Sequence, residues 1–242
     1  MAASDKRTAR VVGWFFIGTF VFSIPGWLLY GPLLNHHDYV LGGGHDKQIA
    51  LGALLEILTA VCNIGTAVAL YPVAKRYNEG VALGYVATRI LESTIIVAGI
   101  VSVLSLVTLR QDLAGTGTDA GTLTVAGRTL VAFHDWTFLL GPGFCAGIGN
   151  GLLLGYLMYR SGLVPRRMAL LGLVGGSLAV VAATGVLFDV YDPQSQPQLL
   201  LTLPEIVWEA SFGIYLVVRG FKSSSRRREL EPGTAGAAVA AL

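Results

Sequence analysis

The sequence predicts an all-α fold, a polytopic membrane helix bundle of six transmembrane helices with N- and C-termini cytoplasmic. Three observations predict it. Hydrophobic residues make up 53% of the 242 residues and charged residues only 13%. The apolar residues fall in six runs, each long enough for the roughly 20 residues that a bilayer crossing needs. Basic residues crowd into every second link between those runs, as in a chain threaded back and forth through a membrane.

The first ten residues form a polar leader with Lys6, Arg7 and Arg10. The run from Val11 to about Leu34 is too long for a signal-peptide core and lacks a small-residue cleavage site, so it reads as a retained first span. Trp14, Trp27 and Tyr30 suit its two interfaces. Asn35 to Lys47 is a polar loop holding His36, His37, Asp38, a glycine run, His45 and Asp46. The second span, about Gln48 to Ala74, contains Glu56 and Asn63. A very short turn follows, so the third span, about Val81 to Leu109 with Arg89 and Glu92, must lie antiparallel beside the second.

After a Gly/Thr/Asp-rich loop comes the fourth span, Arg128 to Arg160. It carries His134-Asp135-Trp136 at one end, then Gly141-Pro142-Gly143, where a kink is expected because proline removes a helical donor. Gly143, Gly147, Gly151 and Gly155 recur every fourth position and offer one face for close helix packing. The span is long enough to leave two registers for His134 and Asp135, within the hydrocarbon or at the headgroup boundary. Pro165 suits the start of the fifth span, about Met168 to Phe188, which is uncharged and contains Gly172, Gly175 and Gly176. A loop from Asp189 to Gln198 leads to the sixth span, about Leu199 to Val218, with Glu205 and Glu209. The tail from Ser223 has the Ser/Arg- then Ala/Gly-rich composition of a disordered segment. The expected layout is a cytoplasmic leader 1–10, a membrane domain 11–222 and a cytoplasmic tail 223–242.

Orientation follows from the basic residues. The leader, Lys75-Arg76, Arg160/Arg166/Arg167 and the stretch from Arg219 to Arg228 hold nearly all of them. An even number of spans puts all four on one side, the cytoplasm by the positive-inside rule. A multi-pass protein of the cell membrane is the result, with membrane lipids as its partners. Neither half is basic enough to suggest nucleic acid. Cys62 and Cys145 lie in apolar runs at no metal or redox spacing and read as small packing residues.

Charges inside the spans carry the functional signal. A charged residue near mid-membrane costs roughly 2.5–3.5 kcal/mol, so such residues face one another or a wet cavity. Arg89 and Glu92 are three apart, Glu205 and Glu209 four apart, and Glu56 and Asn63 seven apart, so each span offers one polar stripe. One reading makes Arg89 and Glu92 a structural ion pair that specifies helix register. The other counts charge: one guanidinium cannot neutralise Glu56, Glu92, Asp135, Glu205 and Glu209. Buried acids left over take up protons, pair with His134, or meet a cationic or polar ligand. On that count Glu56, Asn63, Arg89, Glu92, His134, Asp135, Trp136, Glu205 and Glu209 are the candidates for one pocket reached from the outer side.

Other chemistry is weaker. The loop histidines have the residue types for zinc or copper, yet their spacing matches no ligand pattern, so no metal site is assigned. No haem attachment motif is present, and no cofactor is expected. Gly149-Asn150-Gly151 lies in an apolar helix without a lysine and is not a phosphate loop.

Several segments carry a resemblance: LYGPLLN from Leu29, NIGTAVALYPV from Asn63, RILEST from Arg89, HDWTFLLGPGF from His134, GNGLLLGYLMYRSGLVPRRMALLGL from Gly149 and PEIVWE from Pro204. Together they resemble the bacterial membrane proteins grouped as domain of unknown function 4386. The resemblance covers nearly the whole chain between leader and tail. It implies a polytopic helical membrane protein and brings no activity or site residue.

Three functions fit. The first is binding of a small molecule or lipid in the charged pocket. The second is an intramembrane enzyme, with Glu205 and Glu209 doing acid-base work on a lipid or isoprenoid and Arg89 or His134 orienting them. The third is a proton-coupled transporter, against which stand the lack of an internal repeat and of paired broken helices. A role in assembly through the glycine faces is a fourth use of the same scaffold.

Overall fold

Every span carries its backbone hydrogen bonds inside itself, and the computed structural model of the chain is accordingly helical, with no strand among the described residues. It describes residues 3–34, 39–42, 44–113, 117 and 119–222. His36, His37, Asp38 and the tail 223–242 lie outside them. The elements are α1 (Ala3–Leu29), the short α2 (Gly31–Leu34), α3 (Asp46–Ala74), α4 (Glu79–Leu113), α5 (Ala120–Phe138), two wide-turn segments (Leu139–Cys145 and Gly147–Leu154), α6 (Gly155–Ser161), α7 (Arg166–Leu187) and α8 (Gln196–Val218). Among the described residues, six continuous helical stretches are long and apolar enough to cross a membrane.

α1 begins at Ala3, within the leader, and Ala9 is fully buried. Two details differ from the sequence reading. Tyr30 is no interfacial anchor, because its ring is buried against Gly52 and meets His134 edge-on at 5.6 Å. Trp14 and Trp27 do stay exposed. The expected break at Pro142 takes the form of widened turns within one helix of 42 residues, Ala120–Ser161. Pro142 has no N–H to give, and the ladder passes it with a longer step, Ala146 N donating to Gly141 O.

The helices form a ring. Each packs on its neighbours in sequence, α1 on α3, α3 on α4, α4 on the long central helix, that helix on α7 and α7 on α8, and α8 returns to α1. Glycine sets the tightest seams. A Cβ at Gly176 would lie 2.5 Å from Gly147 O and from Gly151 Cα, so the central helix and α7 touch backbone to backbone there. Gly143, one end of the expected glycine face, has nothing nearer than 3.8 Å. A Cβ at Gly13 would meet Gly213 O at 2.7 Å, which closes α1 on α8.

Among the described residues two large apolar clusters hold the ring, and a small third of Leu139, Ala183 and Val186 joins the central helix to α7. One, around Phe16, Leu70, Tyr85, Met158, Trp208 and Phe212, ties all the long helices together at the end rich in basic residues. The other, around Tyr30, Ile49, Val103 and Leu106, ties α3, α4 and α5 at the opposite end. The outer surface is apolar, with Trp14, Val125, Leu200 and Val218 among many exposed large side chains. So broad an apolar surface is what lipid chains cover. At the second end Asp46 accepts from Tyr39 Oη at 2.8 Å, from Gln111 Nε2 at 2.8 Å and from Arg110, which also donates to Gly42 O at 3.0 Å. These bonds tie the first long loop to the end of α4.

Candidate functional site

The ring encloses a cavity of about 380 Å³. It is lined by Glu56, Asn63, Arg89, Glu92, His134, Glu205 and Glu209, together with Thr19, Thr59, Thr137, Gln198 and Thr202 and apolar side chains of α1, the central helix and α8. Polar stripes from different helices therefore meet, as burial in an apolar medium demands. Counting roughly 1.5 Å per residue from the basic end puts Asn63, Arg89 and Glu209 at about 15 Å, Glu92 and Glu205 at about 20 Å, and Glu56 at about 27 Å.

One wall is a closed network between α3 and α4. Arg89 Nη1 donates to Glu92 Oε2 at 2.6 Å and Nη2 to Asn63 Oδ1, while Asn63 Nδ2 donates to Glu92 Oε1 at 3.1 Å. The amide's orientation follows from its partners, since its oxygen can only face the guanidinium and its nitrogen the carboxylate. Arg89 Nε reaches Asn63 O at 3.5 Å, and Thr66 Oγ1 donates to that same oxygen at 2.6 Å. All three residues are at least 96% buried. The guanidinium is thus occupied on each edge.

The opposite wall is open. Glu209 Oε1 accepts from Asn150 Nδ2 at 2.5 Å, and Trp208 Nε1 donates to Asn150 O at 3.0 Å, which joins α8 to the second wide-turn segment. Asn150 Oδ1 is buried without a partner. Glu205, 4% exposed, is wedged between Gly151 and Gly175, and neither of its oxygens has a hydrogen-bond partner. It lies within Coulombic reach of Glu209, Arg89 and Glu92. A side chain at Gly151 or Gly175 would strike it, at 2.8 and 2.9 Å from Oε2. Nearer the second end, Glu56 packs on Gly26 and stands within Coulombic reach of His134. Buried polar atoms almost always find partners, and Glu205 stands out in this site as the carboxyl with neither oxygen bonded.

Two expected members do not line the cavity. Asp135 and Trp136 are exposed on the outside of the long helix, because successive residues turn by about 100° and, of residues 134–137, His134 and Thr137, three apart, are the pair that faces inward. Asp135 instead borders a groove with Arg128, Tyr39 and Val131, and its carboxylate sits 3.7 Å from His134 Nδ1. Asn150, which the sequence only excludes from a phosphate loop, holds Glu209, and Tyr30, expected at an interface, packs on His134 beside the site. The signal for Asn150 was its amide in an otherwise apolar helix, since such a group needs a buried partner. His45 is exposed, and among the described residues no three His, Cys, Asp or Glu side chains are grouped to hold a metal ion. Cys62 and Cys145 are buried and unpaired.

No curated protein and no solved structure matches the chain. The model of one family, described as a domain of unknown function (DUF4386), matches residues 11–220. The chain therefore belongs to the DUF4386 family of proteins, whose helices here form a six-span bundle around a charged cavity.

Proposed function

We propose that the protein binds a small polar or amphiphilic molecule in the central cavity, with the carboxyl groups of α8 as its principal contacts. The observation that carries this reading is Glu205, a buried carboxyl with two free oxygens beside Glu209. Isolated polar groups in a dry interior cost several kcal/mol, roughly 2–7 for a neutral one without a partner. A bound hydrogen-bond donor or cation offsets that cost. The volume lies near the lower limit of ligand pockets, roughly 300–1,000 Å³, and the lining sets convergent polar groups among apolar side chains, as in such pockets generally.

An acid-base enzyme is the second reading, favoured by the unequal surroundings of Glu205 and Glu209. One is held by an amide donor and the other is bare, which is how paired carboxyls come to divide acid and base roles. The reading also includes an orientation. With the basic ends of the helices in the cytoplasm, leader and tail flank the membrane domain on that side and the cavity faces outward. Native mass spectrometry of the full chain, extracted in a mild detergent, tests binding. A retained mass should be present in the wild type and lost in Glu209→Gln. Equal occupancy in both, or an empty wild type, overturns the proposal. Turnover lost in Glu205→Gln with occupancy intact would select the enzyme instead.

A further inference from the structure

We infer that the cavity is reached sideways from the bilayer, through a window between α1 and α8, and that its occupant is a single-chain amphiphile with a protonated amine head. The inference rests on the binding reading above and specifies its ligand.

The close contacts joining α1 to α8 gather at the basic end: Gly13 against Gly213 and Val217, and Phe16 against Phe212 with ring centroids 5.1 Å apart. Toward the other end the same two helices line the cavity. Ile24 on α1 and Leu199 and Ile206 on α8 are cavity-lining residues, yet they are 54%, 57% and 44% exposed. Side chains that belong at once to an internal cavity and to the apolar outer surface mark a gap between the helices. Opposite the gap, the cavity-lining Asn63, Arg89, Glu92 and Thr59 are all buried. The long axis of access therefore points from lipid to the acidic wall.

Size and charge then define the occupant. A volume of about 380 Å³ holds a head group and the start of a chain, not a two-chain lipid. The rest of the chain would lie in the apolar window among lipid tails. Around the cavity stand Glu56, Glu92, Glu205 and Glu209 against one guanidinium that Glu92 and Asn63 already occupy. Glu205, 96% buried with both oxygens free, is aimed at whatever fills the space. An ammonium group brings the three donors and the positive charge that this wall lacks.

The test uses full-length protein in lipid nanodiscs and two probes, dodecylamine and butylamine, followed by time-resolved native mass spectrometry. Dodecylamine should bind, and Glu205→Gln should weaken it by about tenfold or more. Ile24→Trp and Leu199→Trp should slow dodecylamine association by on the order of tenfold, within the spread that mutants of one interface show. Butylamine, small enough to arrive from water, should be slowed much less than dodecylamine by the same two substitutions. Dodecylamine binding that ignores the tryptophan variants overturns the lateral route and leaves the binding reading intact. If neither amine binds the wild type, the amine head is wrong. A wild type that also carries no native mass removes the binding reading itself.

Discussion

Arg89→Met isolates the energetics of the buried network. The guanidinium pairs with Glu92 at 2.6 Å and binds Asn63 through two further nitrogens, all with the side chain 2% exposed. Removing it leaves Glu92 with one amide donor in a cavity wall already crowded with acids. Breaking a buried pair from one side costs about 3–5 kcal/mol. At roughly 2–4 °C per kcal/mol for a chain of this size, melting should fall by roughly 6–20 °C. The double variant Arg89→Met/Glu92→Met should recover much of that loss, since two apolar side chains of similar bulk leave no orphaned charge. Thermal unfolding in mild detergent at one fixed scan rate is the assay, because membrane proteins rarely unfold reversibly. Additive losses in the double variant, or a shift below about 2 °C in the single, would show that the network carries no coupled charge and refute the reasoning.

Three shorter expectations follow from other parts of the bundle. Gly176→Val should destabilise by about 1–3 kcal/mol, because backbone atoms of Gly147 and Gly151 stand where its side chain would go, whereas Gly143→Ala should leave melting unchanged; equal effects would refute the backbone seam. Asp135→Asn and Trp136→Phe should leave native-ligand occupancy as it is, since both side chains face outward, and a loss in either would return them to the site. The Tyr39 hydroxyl is pushed up from 10.0 to about 12, first by burial and then by its bond to Asp46. A folded value raised above the unfolded one stabilises below pH 10 and is lost as pH climbs toward about 12. The loop should therefore loosen over that range, and Tyr39→Phe should flatten the alkaline limb of the melting profile; an unchanged limb refutes the linkage.

Much of the bundle was legible because a bilayer leaves few options. Six apolar runs, short links and asymmetric lysine and arginine specify six antiparallel helices without reference to tertiary detail. The site was legible for a related reason: Glu56, Arg89, Glu92, Glu205 and Glu209 have nowhere to go but inward, and the structure brings them to one cavity. What failed was rotation. Adjacent residues His134, Asp135 and Trp136 were grouped by sequence, although a helix cannot turn three neighbours to one side. Tyr30 was assigned to an interface by residue type, when the absence of a side chain at Gly52 makes a berth for its ring. The wide turns at Pro142 could not be told from a kink, because both answer the same missing donor.

The two cavity walls differ in what they leave open, and that difference decides the sign of the ligand. On the α3/α4 wall each side-chain nitrogen of Asn63 and Arg89 has an acceptor. On the α8 wall, acceptors outnumber donors: Asn150 gives one bond to Glu209, and the oxygens of Glu205 and Asn150 Oδ1 receive none. An anionic head would have to displace Glu92 from Arg89 and would then face four carboxyl groups. Like charges meeting in a poorly screened site cost several kcal/mol, so a carboxylate amphiphile is at a disadvantage of roughly a hundredfold or more against an amine of equal chain length. Dodecanoate should therefore fail to compete with dodecylamine at neutral pH, and Glu205→Gln should narrow the gap between them. Dodecanoate binding as tight as the amine, with Arg89→Met abolishing it, would move the ligand's contact to the guanidinium and reverse the assignment of the two walls.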